Sequence, residues 1–378
     1  MSARTTWRVV RLHGSDGATG LGEYSDAGPA GDALWPSVAA RLADGVPVAE
    51  LTARPDGHRG TGDPAARLAE ATVRGALDLA AADLAARRAG QPLWRWLGGD
   101  GPRPVARYAN INRALRRRTP EEFAEVARAA VAAGYRAVKC APFDGIPVQE
   151  RLRAGLARAV AVRRAVPSAE LMVDVHHLLT PCQVEGAAPE LRALDLRWLE
   201  DAVPLDDPEA LAAVHGAGIA PLAGGEFATR PGEVAPALAR LAWLLPDVKH
   251  AGGFGPARRL AEAALAAGVG VSLHNPAGPV ATAAGLHLAA ALGPGVETEF
   301  AFGEAPWRAS AVRPPEAPDG PWLLPPDGPG LGLELDPARW TATPVRPGRA
   351  PGPDQDLGPD RTAGFDQAVG PERAGVLR

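Results

Sequence analysis

Three short apolar runs, LMVD (171–174), LRWLE (196–200) and PLAGGE (221–226), each end in a carboxylate. Asp174, Glu200 and Glu226 follow one another at intervals of 26 residues, the length of one strand, one helix and two loops. A single acidic residue after a strand commonly caps the next helix. Three at equal intervals, each closing an apolar run, read better as ligands at the C-terminal ends of successive parallel strands. Carboxylates converging from that geometry suit a hard divalent cation such as Mg²⁺, which takes carboxylate, water and substrate oxygens.

Outward from this stretch, strands and helices alternate every 20–30 residues or so from Val105 onward. The strand candidates before and within it are ARYANI (106–111), RAVKCAPF (136–143), ELMVDVH (170–176) and LRWLEDAV (196–203). APLAGGEF (220–227), WLLPDVKH (243–250), GVSLHNP (270–276) and GVETEFAF (295–302) complete a set of eight. Ala-rich amphipathic stretches lie between them. Eight strands with short connections predict a closed α/β barrel of the (β/α) TIM type. No Gly-x-Gly-x-x-Gly follows the first strand, which removes the main signal for a doubly wound dinucleotide fold.

The N-terminal part reads differently. TWRVVRLHG, SDGATG and LGEYS form a hairpin pattern with its turn at Asp16-Gly17, and a long helix covers 66–90. The expected organisation is an α+β unit over 1–103 and the barrel over 104–310. A segment over 311–341 returns to the first unit, with PGLGLELD (329–336) as its candidate strand. The tail, 342–378, has few large apolar groups and is expected to be mostly disordered.

A chain of 378 residues with 46% hydrophobic and 22% charged residues describes an ordinary globular protein of two domains. Its formal net charge of −4 gives no electrostatic reason to expect nucleic acid or an anionic membrane as partner. No run approaches the roughly 20 apolar residues of a membrane span. The start of the chain lacks the apolar core of a signal peptide, and Cys140 and Cys182 have no metal-type spacing. These features lead to the expectation of a cytoplasmic protein.

Barrel enzymes work at the C-terminal ends of their strands. The polar residues there are Lys139, Asp174, His176, Glu200, Glu226, Asp247, Lys249, His274, Glu297, Glu299 and Glu304. Residues two apart in a strand share a face, so Asp174 points with His176, Asp247 with Lys249, and Glu297 with Glu299.

These residues, together with GLGEYSD (20–26), QPLWRWLGG (91–99) and PDVKHAGG (246–253), resemble the enolase superfamily over roughly residues 7–335. The branch is that of the mandelate racemases and muconate lactonizing enzymes. The resemblance implies that 1–103 is a capping domain and that Asp174, Glu200 and Glu226 bind Mg²⁺. It also implies abstraction of the proton α to the carboxylate of a small-molecule substrate. Asp247 on the sixth strand with His274 on the seventh matches the mandelate racemase pattern, in which an aspartate orients a histidine base. The resemblance makes Lys139, Asp247 and His274 catalytic, and His176 and Lys249 candidates for substrate contact. YANINR (108–113), VKCAPFD (138–144), HNPAGPVAT (274–282) and GEAPWR (303–308) resemble cis-3-hydroxy-proline dehydratases. An amino-acid substrate would bring a cationic nitrogen that Glu297, Glu299 or Glu304 could meet.

The sequence departs from the family twice. Its second-strand motif is normally Lys-x-Lys, and here it is Lys139-Cys140-Ala141. The capping domain normally begins with one more strand and a mobile loop, and here the chain enters at the second strand. With one lysine fewer, a dehydratase acting on an acid sugar or hydroxy-amino acid is favoured over a racemase or epimerase. A degenerate barrel that binds a carboxylate without turning it over is the reading from a different class. Barrels of this kind often form symmetric homo-oligomers.

Overall fold

The computed structural model describes residues 6–53 and 63–346, and the backbone of 372–377. The first domain opens with the antiparallel hairpin β1 (Val9–Gly14) and β2 (Thr19–Glu23), followed by the helices α1 (Gly28–Ala43), α2 (Val48–Thr52) and α3 (Pro64–Arg88). Asp63 caps α3 by accepting from the Ala65 amide, with Pro64 in the first helical position, where a missing N–H costs nothing. The helix lies directly on the hairpin. A side chain at Gly22 would come within 1.8 Å of the Ala76 carbonyl oxygen. The opposite side of α3 is as close to the barrel, because a side chain at Gly75 would meet the Lys249 carbonyl oxygen at 2.1 Å.

All eight strands expected for the barrel form: β3 (Val105–Asn110), β4 (Ala137–Cys140), β5 (Glu170–Asp174), β6 (Leu196–Glu200), β7 (Leu222–Gly224), β8 (Trp243–Leu244), β9 (Gly270–Leu273) and β10 (Glu297–Ala301). Each pairs in parallel with the next, and β10 closes on β3 with Glu297 opposite Ala106 and Ala301 opposite Asn110. The interior is a packed core. Tyr108 and Trp198 meet edge to face at 5.4 Å, and Met172, Ala223 and Leu245 fill the same layer.

After the barrel, β11 (Val312–Arg313), β12 (Trp322–Leu323), β13 (Glu334–Leu335), β14 (Ala342–Pro344) and β15 (Glu372–Leu377) are short. Two expectations are corrected here. PGLGLELD does not join the first sheet, because its β13 pairs with β11 and the segment docks on α3. Buried Asp83 of α3 accepts from the Leu331 and Leu21 amides at 2.7 and 2.8 Å, so a single carboxylate ties the return segment to the hairpin. The tail is not wholly without structure. Its last residues, β15, pair antiparallel with β1, and β14 pairs with β15, giving the order β14-β15-β1-β2. The part of the tail at 347–371 lies outside the described residues. Among the described residues no helix is long and apolar enough to cross a membrane.

The helix Pro279–Leu292 locks the two domains together. Its N-terminus donates two amides, Gly278 and Ala281, to buried Glu23 at 2.6 and 2.8 Å. Within the same helix, His287 is fully buried. Its Nδ1 accepts from the Trp94 amide at 3.0 Å and its Nε2 donates to the Leu331 carbonyl at 3.2 Å. Burial holds its pKa down at about 4, against 6.5 for the free side chain. Between those values the unfolded chain carries a proton that the folded chain lacks. The contribution is therefore complete above pH 6.5 and is lost as pH falls toward 4, by up to about 1.4 kcal/mol per pH unit. His287→Asn, which can still accept from Trp94, should flatten this part of the dependence. Urea midpoints of both proteins at pH 7 and pH 5 check it, and equal slopes would exclude His287 as the source.

Candidate active site

The C-terminal ends of β5 and β6 carry Asp174 and Glu200, and the turn after β7 carries Glu226. All three are buried, and each offers an oxygen within 4.8 Å of the others. A donor set of three carboxylates, without nitrogen or sulfur, can hold a divalent metal ion. Glu226 Oε2 faces His274 Nε2 at 3.0 Å and has no further hydrogen-bond partner among the described residues, so lone pairs of this carboxylate remain for a cation.

Lys139, at the end of β4, reaches into this cluster. Its Nζ donates to Glu200 Oε1 at 2.5 Å and lies 3.2 Å from Glu299 Oε1 and 3.4 Å from Asp174 Oδ2. Burial opposes its charge, but Glu200, Glu299 and Asp174 lift its pKa well above the usual lysine value. It is an ammonium group here, not a free base. Burial and the neighbouring carboxylates push Glu200 well up, whereas Asp174, despite burial, is held below the usual range by Lys139 and His176.

On the other side, His274 follows β9 and points its Nδ1 at Asp247 Oδ2, 2.9 Å away. Its Nε2 faces Glu226 at 3.0 Å and Glu299 Oε2 at 3.7 Å. Burial works against its protonation, but those carboxylates raise it well above the ordinary imidazole range. Lys139 and His274 thus approach Glu299 from opposite oxygens.

The Enolase C-terminal domain-like family matches residues 122–339. A D-galactarolactone cycloisomerase from Agrobacterium fabrum is 30% identical over 279 residues, 70% of this chain and 72% of that protein. The chain belongs to the enolase superfamily. A D-galactonate dehydratase family member from Streptomyces bingchenggensis is 29% identical over 309 residues, covering 74% of this chain and 75% of the relative. A mandelate racemase/muconate lactonizing enzyme-like protein from Roseovarius sp. TM1035 superposes with a TM-score of 0.74 at 27% identity, over 88% of each chain. Within the superfamily the chain is of the mandelate racemase/muconate lactonizing type.

Against that background the remaining candidates separate. His176 stands at the mouth, its Nε2 3.0 Å from Asp174 and its Nδ1 2.8 Å from Asp144. Burial is outweighed by these two carboxylates, and its pKa rises to about 12. Lys249 donates to Asp247 Oδ2 at 2.6 Å, so it supports the dyad. Glu297 is corrected outright. It begins β10, at the opposite end of the barrel from the site, and pairs with Arg197 at 2.9 Å. Two residues along a strand share a face but lie about 6.6 Å apart in depth, which separates Glu297 from Glu299. Glu304 takes Trp7 Nε1 at 3.3 Å and Arg308 Nη1 at 3.2 Å, tying the N-terminus to the loop after β10.

Three residues of the site are absent from the sequence-based set. Asn110, the last residue of β3, donates its amide to Glu299, as does the Asn275 backbone at 3.0 Å. Asp144 holds His176. Asn110 and Asp144 both close apolar strand runs, the same signal that marked the three carboxylates, but neither fits the equal spacing.

Glu226→Gln should weaken binding of Mn²⁺, used as a probe cation, at least tenfold while leaving the circular dichroism spectrum unchanged, as titration calorimetry can check. Lys249→Met leaves Asp247 buried with one cationic partner fewer and should cost about 3–5 kcal/mol of stability. A loss under 1 kcal/mol in denaturant melts would mean that the pair is not needed to bury Asp247.

Proposed function

We propose that the chain is a Mg²⁺-dependent dehydratase of a polyhydroxylated carboxylic acid, an acid sugar. The observation that carries this reading is the placing of Lys139 and the Asp247–His274 pair on two sides of one buried carboxylate triad. Asp174, Glu200 and Glu226 would hold the cation. When bound, it supplies the positive charge against which the doubly negative, deprotonated substrate carboxylate develops.

Asp247 holds His274 by Nδ1, so Nε2 is the atom that faces the site. In this reading His274 Nε2 takes the α-proton. The C–H electron pair becomes the new C=C bond, the β-hydroxyl leaves, and the resulting enol returns a proton to carbon to give the 2-keto acid. Lys139 keeps its ammonium charge beside the substrate carboxylate. In the same reading His176, held between Asp144 and Asp174, gives the leaving hydroxyl its proton.

A sugar acid fits these contacts better than a hydroxy-amino acid. Glu299, the acidic group nearest both proton carriers, is already engaged by Lys139, Asn110 and Asn275, and Glu304 by Arg308 and Trp7. Glu297 is at the far end of the barrel. A cationic substrate nitrogen would find no uncommitted partner among the three.

The test is His274→Asn, assayed with a panel of five- and six-carbon aldonates and cis-3-hydroxyproline, with Mg²⁺ present. The variant should lose at least 1,000-fold in 2-keto acid formation and should also lose α-deuterium wash-in from deuterated water. Wash-in and inversion by the wild type without loss of water would replace the dehydratase reading with a racemase.

A further inference from the structure

A cleft of about 780 Å³ separates α3 from the loop after β7, and its walls include Arg67, Leu68, Arg74, Phe227 and Thr229. Its floor is His250, a residue with no part in the chemistry above. The cleft adjoins the site: Phe227 follows the metal-type ligand Glu226 and is half exposed. The His250 ring lies between Phe227 and His274, at centroid distances of 5.6 and 6.1 Å.

Hydrogen bonding fixes which nitrogen of His250 carries the proton. Thr72 of α3 donates its only hydroxyl hydrogen to the Leu68 carbonyl, at 2.6 Å. Its oxygen is 2.8 Å from His250 Nδ1, so Nδ1 must be the donor in that contact. Burial keeps the ring neutral, with its pKa held down at about 4. Nε2 is therefore a bare acceptor. Asp247 Oδ2, 3.6 Å from it, brings no hydrogen and already accepts from Lys249 and His274.

We propose that His250 is a specificity-determining residue whose Nε2 accepts a hydrogen bond from a hydroxyl on the distal chain of the substrate, with the cleft holding the rest of that chain. The inference rests on the dehydratase reading and deepens it. A substrate whose reacting carbon lies against His274 has its next carbons one ring away, over His250 and Phe227. The cleft walls mix guanidinium and carboxylate groups from Arg67, Glu70 and Arg74. These groups lie beside the apolar faces of Leu68 and Phe227, a mixed lining that the hydroxyls and C–H faces of a polyol can both meet.

The experiment compares kcat/KM for a six-carbon aldonate, gluconate or galactonate, with that for glycerate, which ends at the β-carbon. His250→Phe keeps the ring and its stacking but removes the acceptor, and the six-carbon to glycerate ratio should fall at least tenfold, through KM. His250→Gln, with a side-chain oxygen near the Nε2 position, should restore much of the ratio. Thermal melts check that both variants fold. An unchanged ratio in His250→Phe, or an equal loss on both acids, overturns the proposal while leaving the dehydratase assignment intact. Dehydration of cis-3-hydroxyproline with no turnover of any aldonate also overturns it. If the wild type dehydrates nothing in either panel, the functional reading itself fails, and the proposal fails with it.

Discussion

The architecture depends on burying a group of like charges. Asp174, Glu200, Glu226 and Glu299 have almost no exposed surface, and their mutual repulsion in a poorly solvated space would be costly if left uncompensated. The chain answers with cations at close range: Lys139 among three of them, His274 against two, and His176 on Asp174. Asp247, which orients His274, needs its own counter-charge, and Lys249 supplies it. Each of these carboxylates thus lies close to a cationic group. A divalent cation at the triad would take over part of the work that Lys139 and His274 do here, freeing both toward a substrate.

The second constraint is how closely α3 approaches both domains. The missing side chains at Gly22 and Gly75 let one helix touch the hairpin backbone on one side and the loop after β8 on the other. That contact places Thr72 on His250 and, through the same loop, fixes the turn from which Asp247 and Lys249 project. Glu23 reinforces the docking by capping the helix Pro279–Leu292, which begins a few residues after His274. The first domain therefore helps hold the geometry of the two loops that carry the dyad.

Much of this is legible in the sequence, for definite reasons. The eight strands show because each is a short apolar run bounded by turn residues, and the triad shows because a repeated βα unit spaces equivalent strand ends equally. Depth within the barrel is not legible that way. Glu297 and Glu299 share a face and a charge, and only the register of β10 against β3 reveals that one is at the floor and the other at the site. Lys249 is ambiguous for a similar reason: after β8 the chain turns, so the rule of two that pairs Asp247 with Lys249 no longer says which way each points. The pairing of β15 with β1 is long-range, between residues about 360 apart, and a weakly apolar tail gives no local sign of it.

On the proposed reading, Ala141 in place of a second lysine decides how protons can move. Ala141 is fully buried, and its backbone is held on both sides: the amide donates to Asn112 Oδ1 at 2.7 Å and the carbonyl accepts from Arg118 at 2.6 Å. The position is a structural fixture and offers no side chain to the substrate. Lys139 is bound to Glu200 and stays charged, which suits it to hold a carboxylate and not to accept a proton. On the proposed reading the uncharged proton acceptor can come only from the His274 side, once a cation draws on Glu226. Inversion at the α-carbon needs an acceptor and a donor on opposite faces of the same carbon. Elimination needs an acceptor at the α-carbon and a donor at the neighbouring oxygen, roles that the proposed reading gives to His274 and His176. On that reading the alanine at 141 selects between two outcomes that share their first step.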